Sequence, residues 1–308
     1  MLAARARRGH DERMKPDILC IGAVLWDIIG RSASSMRVGS DVPGRITRLP
    51  GGVALNIAMT LQGFGLNTGL LAAVGRDAEG DELIAAIEQM GLFTDYLYRS
   101  ADLPTDTYMA IEGANGLISA IADAHSLEAA GDKILSALTE GPLGSADAPY
   151  SGTIALDGNL TLSLLTQCAT SPIFAKADMR VAPASPGKAE RLLPFLRSGR
   201  GTLYVNKEEA GLLCKEEFET VEDAALTLVK RGAHRALVTD GARSAAFADA
   251  KCCHVAKPPE VLVARVTGAG DTFMAGHIVA ELRGASAEEA LGSALTAAAT
   301  FVAGETPS

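Results

Sequence analysis

Thr68-Gly69-Leu70-Leu71-Ala72-Ala73-Val74 sits between two segments with helical spacing of apolar residues, Val53 to Phe64 before it and Asp81 to Met90 after it. Pro50-Gly51-Gly52 starts the first helix, and Gly75-Arg76-Asp77-Ala78-Glu79-Gly80 separates the strand from the second. A short apolar strand between helices marks an α/β domain, in which a parallel sheet is covered by helices on both faces. Upstream, Ile18-Leu19-Cys20-Ile21-Gly22-Ala23-Val24 reads as a fully buried strand starting after Asp17. Trp26 and Asp27 emerge at its carboxyl end, where open α/β sheets gather ligands. Asp27 is placed there either to meet a ligand or to form the turn.

Downstream the alternation resumes. Strands are expected near Thr153–Leu156, Lys176–Val181, Thr202–Val205, Arg235–Thr239 and Lys251–Val255, with helices from Asn206, Asp271 and Ala287. Two stretches interrupt it. Residues 31–50 carry short β-prone pieces, Met36-Arg37-Val38 and Arg45-Ile46-Thr47-Arg48-Leu49, and predict a small hairpin. Residues 96–123 contain Tyr108–Glu112 and Leu117–Ile121 around Ala114-Asn115-Gly116, an Asn-Gly hairpin signal. Together they predict a small β-sheet lid that covers a site or pairs subunits; its exposed edges permit pairing, and the expected assembly is a homodimer. There is no internal repeat. The reading is one domain over 17–304, with residues 1–16 as a disordered leader.

Composition limits the function. The 308 residues carry a net charge of −9, with 48% apolar and 21% charged residues, ordinary for a globular protein and unsuited to nucleic acid. No apolar stretch reaches membrane-spanning length. The N-terminal stretch has Arg5, Arg7, Arg8 and Arg13 but no apolar core, so it is not a secretory signal. Five scattered cysteines show no metal-ligand spacing and fit reduced thiols in a cytoplasmic protein.

Four segments can carry chemistry. Val266-Thr267-Gly268-Ala269-Gly270-Asp271-Thr272 runs into the apolar helical stretch Phe273–Ala280. Such a glycine loop at a helix N-terminus suits phosphate. A carboxylate there repels a resting phosphate but serves a hydroxyl that must lose its proton while attacking one; the alternative is a helix cap. Gly51-Gly52 with Asn56 is either a polyol-binding turn or a plain one. Asn206 and Glu209 either hold hydrated Mg²⁺ or form a capping box, and the spacing fits both. Thr239-Asp240-Gly241 ends a strand with a hydroxyl and a glycine. The first strand lacks G-x-G-x-x-G, which counts against a dinucleotide-dependent oxidoreductase.

In order, Pro50-Gly51-Gly52…Asn56, Ala73-Val74-Gly75-Arg76-Asp77…Gly80, Asn206…Glu209, Thr239-Asp240-Gly241 and Gly268-Ala269-Gly270-Asp271 resemble the PfkB, or ribokinase-like, family of sugar and nucleoside kinases, from about Asp17 to Gly304. The resemblance implies a ribokinase-like α/β fold with a β-sheet lid and Mg²⁺-ATP-dependent phosphorylation of a hydroxyl. It implies Asp271 as catalytic base, the amides of Gly268, Ala269 and Gly270 as anion hole, and Asn206 and Glu209 supporting Mg²⁺ through water. Thr239 and Gly241 would lie near the ATP phosphates, and Asp27, Gly51, Gly52 and Asn56 would hold the sugar hydroxyls. Thr107–Glu112, Gly116–Asp123, Ser185…Lys188-Ala189 and Val266-Thr267 are more narrowly similar to pseudouridine kinases. That likeness implies the 5′-hydroxyl of pseudouridine as acceptor, Asp123 and Thr107 reaching the substrate from the lid, and Lys188 contacting a phosphate. Arg265 and Val266 stand where many ribokinases have Asp-Thr at a monovalent-cation site, so strong potassium activation is not expected. Ala182 and Ser244 also depart from the family pattern. The alternatives are a kinase of another nucleoside or free sugar, and a non-catalytic nucleoside or nucleotide sensor.

Overall fold

The computed structural model describes residues 16–37, 39–114 and 116–307. Along the chain, β1 (Ile18–Ile21), β2 (Leu25–Arg31) and β3 (Arg45–Gly51) precede α1 (Val53–Gly63), β4 (Thr68–Leu71), β5 (Ala73–Gly75), α2 (Ala78–Gln89) and β6 (Tyr98–Ser100). The hairpin β7 (Thr107–Gly113) and β8 (Gly116–Asp123) is followed by α3 (His125–Ala130), α4 (Ser136–Thr139), β9 (Glu140–Gly141) and β10 (Gly144–Ser145). Next come β11 (Thr153–Asp157), α5 (Leu162–Thr170), β12 (Asp178–Ala182), α6 (Leu193–Ser198), β13 (Thr202–Asn206), α7 (Lys207–Cys214) and α8 (Val221–Lys230). Strands β14 (Arg235–Thr239), β15 (Ala245–Asp249) and β16 (Cys253–Ala256) lead to α9 (Ala269–Leu282) and α10 (Ala287–Val302).

Eight strands form the main sheet in the order β16-β15-β14-β13-β12-β11-β1-β4, parallel from β4 to β14, with β15 and β16 antiparallel. Inner strands of such a sheet have no solvent face, which is why β1 is apolar throughout. Leu19 and Ile21 enter one core with residues of α5 to α8, while Ile18 and Cys20 enter the other with α1, α2, α9 and α10. This is the ribokinase-like α/β arrangement.

The anticipated β excursions form one four-stranded sheet, β3-β2-β7-β8. Its composition corrects two expectations. The first strand does not continue to Val24: Gly22 has φ +151° and a Cβ there would lie 2.1 Å from the Asp157 carboxylate, so the chain turns out of the main sheet. Asp27 therefore belongs to β2. The partner of Arg45–Gly51 is β2, not 36–38; Met36 and Arg37 are in no strand and Val38 lies outside the described residues. Thr68–Val74 is interrupted at Ala72, after which β5 pairs with β6 in a separate ladder. Strand β15 was not anticipated. The β7–β8 hairpin matches its expectation, although Asn115 of its turn is outside the described residues, as are residues 1–15 of the expected leader.

Candidate active site

Gly268 caps α9 with φ +92°, a left-handed conformation that glycine adopts without strain. A Cβ on Gly270 would meet nothing within 4 Å, so open space lies over the first turn. The amide of Ala269 donates to the Val266 carbonyl at 3.0 Å, which occupies one of the three expected anion donors. Asp271, in the same turn, accepts from Asn56 Nδ2 at 2.9 Å. That bond joins α1 to α9 and brings two predicted site residues together. Desolvation, with Asp157, Asp27 and Glu209 nearby, pushes the Asp271 carboxyl up to about 7, against the pull of Asn56.

The turn from β3 into α1 is built by close approach. A Cβ on Gly51 would fall 2.1 Å from Asp27 Oδ2, and one on Gly52, at φ +98°, would fall 2.4 Å from the Ala23 carbonyl. Only glycines let β3 run into α1 so near Asp27. Burial raises Asp27 to about 6.

Asn206 and Glu209 form the capping box: Asn206 Oδ1 accepts from the Glu209 amide and Glu209 Oε2 from the Asn206 amide, each at 2.8 Å. Glu209 is nevertheless buried, and desolvation raises its pKa. Glu209 has no ion pair among the described residues, and no group of three or more His, Cys, Asp or Glu among them could hold a metal ion, so a cation beside this cap would be held through water rather than directly. Asn206, Thr239 and Gly241 converge on a cleft of about 830 Å³ that also presents Lys207, Asp240 and Arg243. Asp240 accepts from Arg243 Nε at 2.7 Å and pairs with Lys207 at 3.0 Å; chiefly through Arg243, its pKa is lowered.

Thr107, Asp123 and Lys188 do not line this cleft. Across the small sheet Thr107 faces Asp123, Trp26 faces Thr107 and Asp27 faces Tyr108. Thr107 and Asp123 thus share the face of Met109 and Ile121, opposite to Asp27. Asp123 is bonded to His125 Nδ1 at 2.7 Å, and both are exposed. Lys188 Nζ donates to Asn159 Oδ1. Sequence reasoning missed Asp157, which ends β11 as a buried carboxylate beside Gly22. Its position at the carboxyl end of an anticipated strand was the available signal. Lys207 and Asp240 lay inside quoted motifs without a role.

The pfkB family carbohydrate kinase signature spans residues 15–306. The chain belongs to this family. It is 28% identical over 273 residues to the pseudouridine kinase of Escherichia coli (strain K12), covering 86% of this chain and 83% of that one. It is 27% identical over 300 residues to the guanosine-inosine kinase of Exiguobacterium acetylicum, covering 93% and 94%. The ribokinase of Arabidopsis thaliana complexed with ribose and ATP shares the fold, with a TM-score of 0.76, 23% identity and coverage of 94% and 93%. As a pfkB-family member the protein is a phosphotransferase with an alcohol acceptor on a sugar or nucleoside. Among the described residues no helix is long and apolar enough to cross a membrane.

Proposed function

We propose that the protein transfers the γ-phosphoryl group of ATP to the 5′-hydroxyl of pseudouridine, with Asp271 as general base. The observation that carries the kinase chemistry is the Asn56–Asp271 bond at 2.9 Å, which ties the acceptor turn to a base in the first turn of a phosphate-suited helix. Asp27, Gly51, Gly52 and Asn56 hold the sugar hydroxyls. Asp271 takes the hydroxyl proton as the oxygen attacks the γ-phosphorus, and the β,γ-bridging oxygen leaves with ADP. A base with a pKa of about 7 is matched to this task at neutral pH. The amides of Gly268 and Gly270, joined by Ala269 once it exchanges its Val266 contact, stabilise the transferring group. ATP lies in the cleft beside Thr239 and Gly241, and Lys188 reaches a phosphate once it exchanges its Asn159 contact. Asn206 and Glu209 would hold Mg²⁺ through water, and charge neutralisation on the phosphates is the chemistry it would supply there.

Pseudouridine is supported by the motif likeness and by the E. coli relative. The guanosine-inosine kinase relative favours a second reading, a kinase of another nucleoside. Thr107 and Asp123 lie on the sheet face away from Asp27, so we extend the proposal to a homodimer. There a second copy covers this face and receives Asp123 at its own site, where the carboxylate accepts the extra ring N–H of pseudouridine.

ATP consumption with Mg²⁺ should be measured on pseudouridine, uridine, guanosine, inosine, ribose and fructose. A preference of about tenfold or more for pseudouridine over uridine is expected, the discrimination a hydrogen bond to a charged group provides. Faster turnover of a purine nucleoside or free sugar replaces the substrate and keeps the chemistry. No turnover of any acceptor by folded protein favours a sensor, which nucleoside binding by calorimetry would then establish.

A further inference from the structure

Asp157 is fully buried at the end of β11, and its carboxylate is committed to the main chain. Oδ2 accepts from the amides of Ala23 at 2.8 Å and Ala54 at 3.1 Å, and Oδ1 from the amide of Asn159 at 2.7 Å. Three segments distant in sequence meet on one side chain: the exit of β1, the first turn of α1 and the exit of β11. Gly22 leaves room for it. The first turn of α1 needs such an acceptor, because its N-cap is Gly52, which has no side chain to offer. A buried amide at Ala54 without a partner would be costly.

We propose that Asp157 is a positioning residue of the phosphoryl-transfer site, clamping the start of α1 to the main sheet so that Asn56 meets Asp271. The inference rests on the kinase reading above. Ala54 lies in the same helical turn as Asn56, whose own amide bonds to the Gly52 carbonyl at 2.8 Å and whose side chain bonds to Asp271. The Ala23 carbonyl, next to the clamp, accepts from Leu55 at 3.4 Å and abuts Gly52. Loosening Asp157 therefore moves the acceptor turn and the donor to the base together. The clamp has an electrostatic consequence. Asn56 on α1, Asp157 on β11, Asp27 on β2 and Glu209 on α7 act on Asp271, and Asp157 is the foremost of the carboxylates that raise its pKa. Burial raises the pKa of Asp157 itself, while the amides of Ala23, Asn159 and Ala54, and Lys188 held by Asn159, favour its charged form.

The test is Asp157→Asn in the full chain, assayed with the acceptor that the wild type turns over. Asparagine keeps the size but loses the charge and one acceptor oxygen. The KM for the acceptor should rise about tenfold, with the KM for ATP within about twofold. The acid limb of the kcat profile should shift to lower pH, because Asp271 ionises more easily. A folded variant with unchanged acceptor KM and unchanged acid limb overturns the proposal. Should the variant not fold, amide hydrogen exchange in the wild type decides: the Ala54 amide is expected to be as protected as that of Asn56, and loop-like exchange at Ala54 overturns the clamp. Absence of transfer by the wild type overturns the kinase reading, and the positioning role with it, while a protected Ala54 leaves the clamp standing.

Discussion

Asp271, the proposed general base, sets the proposed chemistry against stability. Its folded pKa of about 7 lies well above the ordinary aspartate value of 3.8, so the folded state holds the proton more tightly than the unfolded chain does. The resulting destabilisation is absent below about pH 4, grows as pH rises toward 7 and is constant above, reaching on the order of 4 kcal/mol. Asp271→Asn should lower turnover by about three orders of magnitude, as loss of a general base does. The same variant should melt several degrees higher than wild type at pH 8, with the gain vanishing near pH 4. Melting curves at the two pH values check this; a variant less stable at both would show that Asp271 carries no such penalty. For the wild type, the rate should rise with pH and level off above about 7, the form expected of a base that must be ionised.

At the scale of elements, α7 separates structural from chemical roles. Asn206→Ala removes the cap and should cost about 1 kcal/mol, whereas Asn206→Asp keeps a capping oxygen and should leave the melting temperature nearly unchanged. If Asn206 also supports the nucleotide's metal, Asn206→Asp will change the Mg²⁺ concentration needed for half-maximal rate without that loss of stability. An unchanged Mg²⁺ requirement in both variants leaves only the cap. Asn206-Lys207-Glu208-Glu209 was legible as a capping box because its partners are three residues apart. The break after β1 was not, because the apolar run continues through Val24, Leu25 and Trp26. At the break stands Gly22, at φ +151° and without a Cβ that would overlap Asp157, a neighbour remote in sequence. Strand β15 escaped notice for a related reason: Ala245, Ala246 and Ala248 have little strand preference, and the antiparallel ladder with β14 makes them a strand.

For the whole molecule, alternation of strands and helices was enough to read the α/β class, but strand order and sheet faces depend on pairings that no local pattern carries. The face of Thr107 and Asp123 is such a case. On it Ile46 is 77% exposed, Ile121 67% and Met109 45%. If a second copy covers them, Ile121→Glu should convert a dimer to monomers in analytical ultracentrifugation while leaving the melting temperature of the monomer little changed. A wild type that sediments as a monomer at micromolar concentration ends the homodimer proposal. The inner place of β1 also matters while the chain is being made. One of its edges can pair once β4 has been made, but the other waits for β11, which begins at Thr153. At translation speeds of about 5–20 residues per second that wait is on the order of ten seconds. Throughout it a bare apolar strand edge is presented to the crowded neighbourhood of the ribosome. Only synthesis of the second half therefore gives that edge of β1 its partner in the main sheet.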